Sequence, residues 1–419
     1  MSTVVAHPVR SAGPLPAVGP TTGSERLSLM DALRGFALAG VLFVNMGALT
    51  LHYYLTSAQR AALPTARFDR LAEMAMVYFA AFKFITLFSL LFGLGFAVQL
   101  MRAEERGGDA RGLYVRRLLV LLLIGLAHAT LLWWGDVLVL YAVIGFGLLL
   151  FRTASGRTLL WTGLALVCLG APLLRLVLGP LVESATAGLP AMAVAKSRAL
   201  AAFSGGDYAA VVEANLMFST VYFLRNWTEP LVIFSRFLLG FWAGRMLLFH
   251  RPADHRVLLA RIFGWGAAIG LLGNGVAVMR YYFDLTTRLP LLAGSIGGVV
   301  LDMIISTGTL ALGAAYGTGF ALLFLRPVWR PRLEMLSPVG RMALTNYLGQ
   351  TVVCLLIFYG IGLGVGPRFG YPGLLAAFAL IFAVQIALSR WWLKRFRFGP
   401  AEWVWRSLTY GRAQPMRLP

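Results

Sequence analysis

The chain has 419 residues, of which 59% are hydrophobic and only 13% charged, with a formal net charge of +20 and a mean hydropathy of +0.75. An apolar share this far above the roughly 45–50% of soluble domains excludes an ordinary soluble fold. Nor does the charge indicate nucleic acid: the arginines fall at the ends of apolar runs, and no basic arm with interleaved aromatics occurs.

Residues 1–25 are rich in Pro, Gly, Ser, Thr and Ala and lack the apolar core of a signal peptide, which predicts a disordered cytoplasmic tail. Apolar runs then follow near 29–51, 79–101, 115–134, 136–152, 158–179, 229–248, 259–281, 294–325, 341–364 and 372–393. They are continuous and do not alternate with period two, so a β-barrel is rejected. The pattern predicts an all-α polytopic membrane protein: a helical domain over 26–393, with a bundle of about ten transmembrane helices plus interfacial helices. The run at 294–325 is too long for one upright crossing, so it tilts or breaks at its glycines. Residues 394–419 mix cations with aromatics, and Pro400 suits a first helical turn; a cytoplasmic interfacial segment is expected there.

The links Arg102–Arg117 (five arginines), Arg152–Arg157, Arg251–Arg261 and Arg326–Arg341 are basic, as is the tail from Arg390, while alternate links hold few basic residues. Both termini are then cytoplasmic, which requires an even number of spans. The longest link, about 180–228, is extracytoplasmic, carries a surface helix near 192–203, and has the length of a segment that caps a pocket. Cys168 and Cys354 lie inside apolar runs, so no disulfide framework is implied.

Ionisable groups inside such runs cost on the order of 3 kcal/mol unless paired, and each is by default a candidate for function. Asn45 lies eleven residues after Arg34, and His128 eleven after Arg117, so each polar group sits about 16 Å above its arginine. If the first and third spans are neighbours, Asn45 and His128 share a level and line one cavity. Lys83, Asp136 and His52 fall near the same level. Each has a plain structural reading as well: Asp136 as a helix cap, His128 bonded to a carbonyl, Lys83 snorkelling. At Ser28–Asp31 a capping pair starts the first helix, with Arg34 at the interface. Arg236 and Asp302 each lie about two turns inside their spans and are expected to pair. Asn346 and Gln350, four residues apart, are expected to hydrogen-bond to another helix. No P-loop, GxSxG, HExxH, Cys/His cluster or Rossmann glycine pattern occurs, so no metal site is expected.

Five stretches occur in an order that resembles the YeiB-like bacterial inner-membrane proteins, over about residues 26–412. They are Leu29–Ala37 with Val44-Asn45, Lys83–Gly93, His128–Tyr141, Gly340–Gln350, and Phe398–Arg406 with Thr409-Tyr410-Gly411. That family is in turn distantly similar to the transmembrane acyltransferases, the heparan glucosaminide N-acetyltransferases among them. The resemblance implies an acyl-CoA (acetyl-CoA) donor bound from the cytoplasm, an acceptor on the far side, and Asn45 as the matching asparagine. The family's histidine follows the first helix; His52 lacks the surrounding motif and His128 fits the YeiB-like pattern, so both stay open, with His128 preferred.

The expected activity is a membrane-embedded acyltransferase acting on an envelope acceptor. His128, Asp136, Asn45 and Lys83 would form the catalytic set, and Arg34, Arg117, Arg341 and Asn346 the donor-binding set. The competing reading is a proton-coupled small-molecule transporter built on the same buried groups; a lipid-binding or scaffolding protein would need none of them. Expected partners are membrane lipids, acyl-CoA and an envelope acceptor, with a homodimer left open and nucleic acid not expected. Sidedness is directly testable: a cysteine placed at Gly205 is labelled in intact cells, and one placed at Arg106 is spared. The reverse pattern overturns the orientation.

Overall fold

The computed structural model describes residues 28–105 and 110–418; the expected tail over 1–25 and Arg106 lie outside the described residues. Among the described residues the chain is predominantly helical, with no strand beyond one bridging pair, Phe396 with Arg417. The principal helices are α1 (Ser28–Leu49), α2 (Ala66–Phe79), α3 (Lys83–Glu105), α4 (Ala110–Ala127), α5 (Leu138–Gly145), α6 (Gly156–Ala165), α7 (Ala171–Ala185) and α8 (Met192–Ser204). They continue with α9 (Tyr208–Arg225), α10 (Glu229–Arg245), α11 (Arg256–Tyr282), α12 (Ser295–Phe324), α13 (Ser337–Arg341), α14 (Ala343–Phe358), α15 (Tyr371–Leu393) and α16 (Pro400–Tyr410).

Among the described residues, seven helical segments are long and apolar enough to cross a membrane, and Arg330–Arg341 with α14, bent by 78°, makes an eighth if counted as one span. The expectation of about ten is therefore not confirmed among these residues. The runs at 136–152 and 229–248 are helical, but α5 with its continuation to Phe151 and the 17-residue α10 fall short of that length. Most of α10 is buried by its neighbours, including Ile233 and Ser235 through Phe241, so protein rather than lipid surrounds it. The 30-residue α12 is unbroken; its glycines do not interrupt it, and a helix of about 45 Å fits a bilayer by tilting.

Two glycine pairs set the closest crossings. A Cβ on Gly93 of α3 would overlap the Phe237 carbonyl of α10, and one on Gly240 of α10 would overlap the Leu90 carbonyl of α3. Likewise a Cβ on Gly340 of α13 would overlap the Asp31 carbonyl of α1, and one on Gly35 the Leu336 carbonyl. Small residues let backbones meet where lipid removes the hydrophobic drive between helices.

The link after α7 folds over the end of the bundle opposite the arginine-rich links. α8 matches the helix expected near 192–203, and α9 packs beside it. Phe203 and Phe218 are fully buried, each edge-on to Tyr54. At the arginine-rich end, α16 and α14 cap one another. Glu402 Oε1 accepts from the Leu344 and Thr345 amides (2.6 and 3.2 Å), Oε2 from the Thr345 hydroxyl (2.6 Å), and Thr345 Oγ1 accepts from the Ala401 amide (3.0 Å). Burial pushes the Glu402 carboxyl above its usual range, against these donors.

Glu402→Ala leaves two buried amides without acceptors and is expected to cost about 2–3 kcal/mol. Thr345→Val costs less, and the double variant loses less than the sum of the two, because they share one network. Thermal unfolding of the purified protein reads this; an unchanged midpoint for Glu402→Ala removes the mutual cap.

Candidate functional site

The site is built around a turn that is wider than α-helical. α4 ends in a π-helical turn, His128–Leu132, closed by the Trp133 amide on the His128 carbonyl at 2.9 Å. Such turns loosen the helical ladder and recur at functional sites. Neighbouring carbonyls are held by the long link: Asn215 Nδ2 donates to Thr130 O (3.3 Å) and Tyr208 Oη to Leu131 O (2.7 Å). Asn215 Oδ1 also accepts from the Trp134 amide (3.1 Å).

The turn aims His128 inward. Its Nδ1 meets Asp136 Oδ1 at 2.8 Å, and its Nε2 meets Thr351 Oγ1 of α14 at 2.9 Å. The other oxygen of Asp136 accepts from the Val139 amide (2.8 Å) at the start of α5. The carboxylate thus caps a helix and at the same time bonds the imidazole. All three residues are buried. A carboxylate on Nδ1 fixes the tautomer that leaves Nε2 as the acceptor.

Below this pair lies a cavity of about 380 Å³ at the arginine-rich end of the bundle. Among the described residues, seven arginines line it (34, 102, 111, 117, 152, 341 and 406), with two carboxylates, Asp31 and Glu402. Asp31 is paired with Arg34 at 3.1 Å, and Glu402 is the helix cap already described. The Arg117 guanidinium stacks on Trp405 at 4.1 Å, while Arg341 Nε and His250 Nδ1 are buried without a partner. Burial and the charges of Arg102 and Arg34 hold the His250 imidazole below its usual range, so it adds no cation near neutral pH. Deeper in, the wall turns apolar through Ile85, Phe88, Phe92 and Leu138 and reaches Tyr141 and Tyr347. The Tyr141 hydroxyl is 2.7 Å from Ser89 Oγ. The Tyr347 ring lies 5.2 Å from the His128 ring. Tyr347 therefore separates the cavity from the His128–Asp136–Thr351 group.

All five stretches noted in the sequence contribute to this wall: Asp31 and Arg34; Ile85 and Phe88; Val137 and Tyr141; Gly340, Arg341 and Tyr347; Trp405 and Arg406. The convergence foreseen at one membrane level does not form. Asn45 is half-buried, and neither it nor His128 lines either principal cavity. α1 packs on α3, α12, α13, α14 and α15, while α4 packs on α5, α16 and α3, so the assumed side-by-side pairing of the first and third spans is not seen.

Lys83 is also elsewhere. Phe82, with φ of 65°, turns the chain so that Lys83 Nζ donates to the Val77 carbonyl at 2.6 Å, and the charge acting on it is another cation, Arg236. His52 sits apart between Asp69 and Glu73, 3.9 Å from each, and burial keeps its imidazole below the usual range. Asp302 is not the partner of Arg236: it binds Arg175 (3.1 Å) and Arg280 (2.7 Å). Arg236 remains buried, with Nε unpartnered.

Asn346 and Gln350 do bond to a second helix, α15. Gln350 donates to Gln385 (2.9 Å), Gln385 donates back to Asn346 O (2.9 Å), and Asn346 donates to Ser389 (3.0 Å). Asn346 is spent in this ladder and lines no cavity, unlike Arg341. Sequence reasoning missed Thr351, Tyr347 and Tyr141. Thr351 and Tyr347 share a helix face with Leu344, but nothing local points across the 223 residues that separate Thr351 from His128.

A family model described as a protein of unknown function (DUF418) matches residues 243–412. The chain is 34% identical to the uncharacterized protein YxaH of Bacillus subtilis (strain 168), over 95% of this chain and 97% of that one. It is 31% identical to the uncharacterized protein YeiB of Escherichia coli (strain K12), over 93% and 98%. An uncharacterized 39.9 kDa protein from the amylase 3′ region of Bacillus acidopullulyticus is 29% identical, over 95% and 98%. No solved structure matches. With helices of membrane-spanning length and relatives matched almost end to end, the chain belongs to the YeiB-like family of multi-pass membrane proteins.

Proposed function

We propose that this protein is an acyltransferase of the bacterial inner membrane, moving an acyl group, acetyl in the simplest case, from cytoplasmic acyl-CoA to an acceptor in the envelope. One observation carries the reading: an arginine-lined cavity turns apolar with depth and stops one aromatic ring short of a buried His–Asp pair. Acyl-CoA has the same polarity, with a diphosphate and a 3′-phosphate at one end and an uncharged thioester arm at the other. Guanidinium groups bind phosphates through charge-assisted, often bidentate hydrogen bonds, so Arg34, Arg117 and Arg341 would hold the nucleotide end. The arm would follow the apolar wall to Tyr141 and Tyr347.

His128, oriented by Asp136, would act as general base. The arginine-rich end would face the cytoplasm, by the charge asymmetry of the links. Asn45 and Lys83 have no contact that supports a part in this chemistry. The distant likeness to transmembrane acyltransferases points the same way. The transporter reading draws on Lys83 and Arg236, buried cations close to one another inside the bundle.

Calorimetry with acetyl-CoA and CoA on purified protein, with labelled-acetyl transfer in membranes, tests the proposal. Arg34→Ala, Arg117→Ala and Arg341→Ala are each expected to weaken binding by about 10- to 100-fold, the worth of a charged hydrogen bond. His128→Ala is expected to leave binding intact and to lower transfer by about 10²–10⁴-fold. If neither compound binds at millimolar concentration, the acyltransferase reading falls and the transporter reading takes its place.

A further inference from the structure

We infer that Thr351 is the first acceptor of the acyl group, so that transfer runs through a threonine ester on α14. This rests on the acyltransferase reading and deepens it. Carboxylate, imidazole and hydroxyl are arranged in series: Asp136 Oδ1 to His128 Nδ1 at 2.8 Å, then His128 Nε2 to Thr351 Oγ1 at 2.9 Å. A nucleophile bonded to a base that a third group orients is the geometric signature of an activated hydroxyl.

The direction of the Thr351 hydroxyl adds to this geometry. Helical Ser and Thr side chains in this protein usually bond back to a carbonyl of their own helix: Thr86 to Phe82, Ser89 to Ile85, Thr130 to Leu126 and Thr318 to Ala314. Thr351 instead directs its hydroxyl across to the imidazole. The arrangement also leaves Nε2 occupied, so an incoming acceptor cannot meet the base without displacing Thr351. The cavity ends close by, with the Tyr347 ring as the one group that the acyl end must displace to reach Thr351. Leu344 and Tyr347 line the cavity, and Thr351 is the next residue on that face, one turn or about 6 Å beyond Tyr347.

The chemistry balances with the groups present and the donor alone. Thr351 Oγ attacks the thioester carbonyl carbon while its proton passes to His128 Nε2, and Asp136 stabilises the imidazolium. The tetrahedral adduct collapses with cleavage of the C–S bond, and His128 returns the proton to the departing thiolate, giving CoA and the Thr351 ester. An acceptor hydroxyl or amine then attacks the ester and gives its proton to His128. The C–O bond to Thr351 breaks, and the same proton restores the hydroxyl. Two half-reactions on one side chain let donor and acceptor use the site in turn from opposite ends.

The test uses the full-length purified protein with acetyl-CoA and no acceptor. Radiolabelled CoA is expected to exchange into acetyl-CoA, because the first half-reaction is reversible. Acid quenching is expected to trap about one acetyl per chain on the Thr351 peptide, stable to neutral hydroxylamine and lost at alkaline pH. That stability separates an oxygen ester from a thioester on the nearby Cys354, and Cys354→Ala should exchange normally. Thr351→Val is expected to bind acetyl-CoA as tightly as the wild type while losing exchange by at least about 10²-fold; Thr351→Ser should recover it. If acetyl-CoA binds and transfer occurs but the wild type neither exchanges nor retains label, the proposal is overturned. Label on His128 or Cys354 overturns it equally, and so does transfer by Thr351→Val at the wild-type rate; the acyltransferase reading survives all three. Failure of acetyl-CoA to bind removes that reading itself.

Discussion

The junction at the arginine-rich end, where Glu402 receives the first amides of α14, holds the remainder of the site in place. The helix so anchored carries Leu344, Tyr347 and Thr351 on one face, and its partner α13 lies against α1 with almost no space between backbones. The first and last described helices are thereby brought to the same end of the molecule. α16 closes the wall through Trp405, whose indole donates to the Arg117 carbonyl at 3.0 Å. A bend of 78° next to α14 would be costly in lipid if its freed amides lacked partners. The carboxylate supplies those partners, and the bend makes room for the cavity.

Electrostatics gives that cavity its direction. Among the described residues, seven guanidinium groups and two carboxylates line it, one carboxylate paired with Arg34 and the other spent as a helix cap, so its polar end is basic. Farther in, Arg236 is buried with one nitrogen unpartnered, and Lys83 leans on a single carbonyl.

Much of this was legible in the sequence, for reasons tied to particular residues. Long apolar runs fix helices, and the five ordered stretches each contribute residues to one wall. His128 and Asp136 could be paired in advance, since eight residues across a tight turn bring them together. Depth alone could not say more. Equal spacing from Arg34 and Arg117 sets a level but no azimuth, and α1 turns toward α14 and α15 while the π turn swings His128 toward Thr351. Lys83 was misplaced for a similar reason: the left-handed residue before it redirects the chain, and nothing about Phe82 advertises that conformation. The expected count of spans is not confirmed at α5 and α10, which are short, and most of α10 is buried against protein.

The wide turn at His128 makes chain length itself a constraint on the His128–Asp136 pair. Replacing Ala129 or Leu131 by another apolar residue leaves the five-residue spacing intact. Removing one residue between His128 and Asp136 would tighten the turn to α geometry and rotate the two side chains out of register by about 100°. The imidazole would then lose its carboxylate with every chemical group still present. Because Asn215 and Tyr208 grip the carbonyls of this turn, the covering link on the far side also acts as a gauge of its width. A change in that link is therefore felt as a change in the angle of a side chain that it never touches.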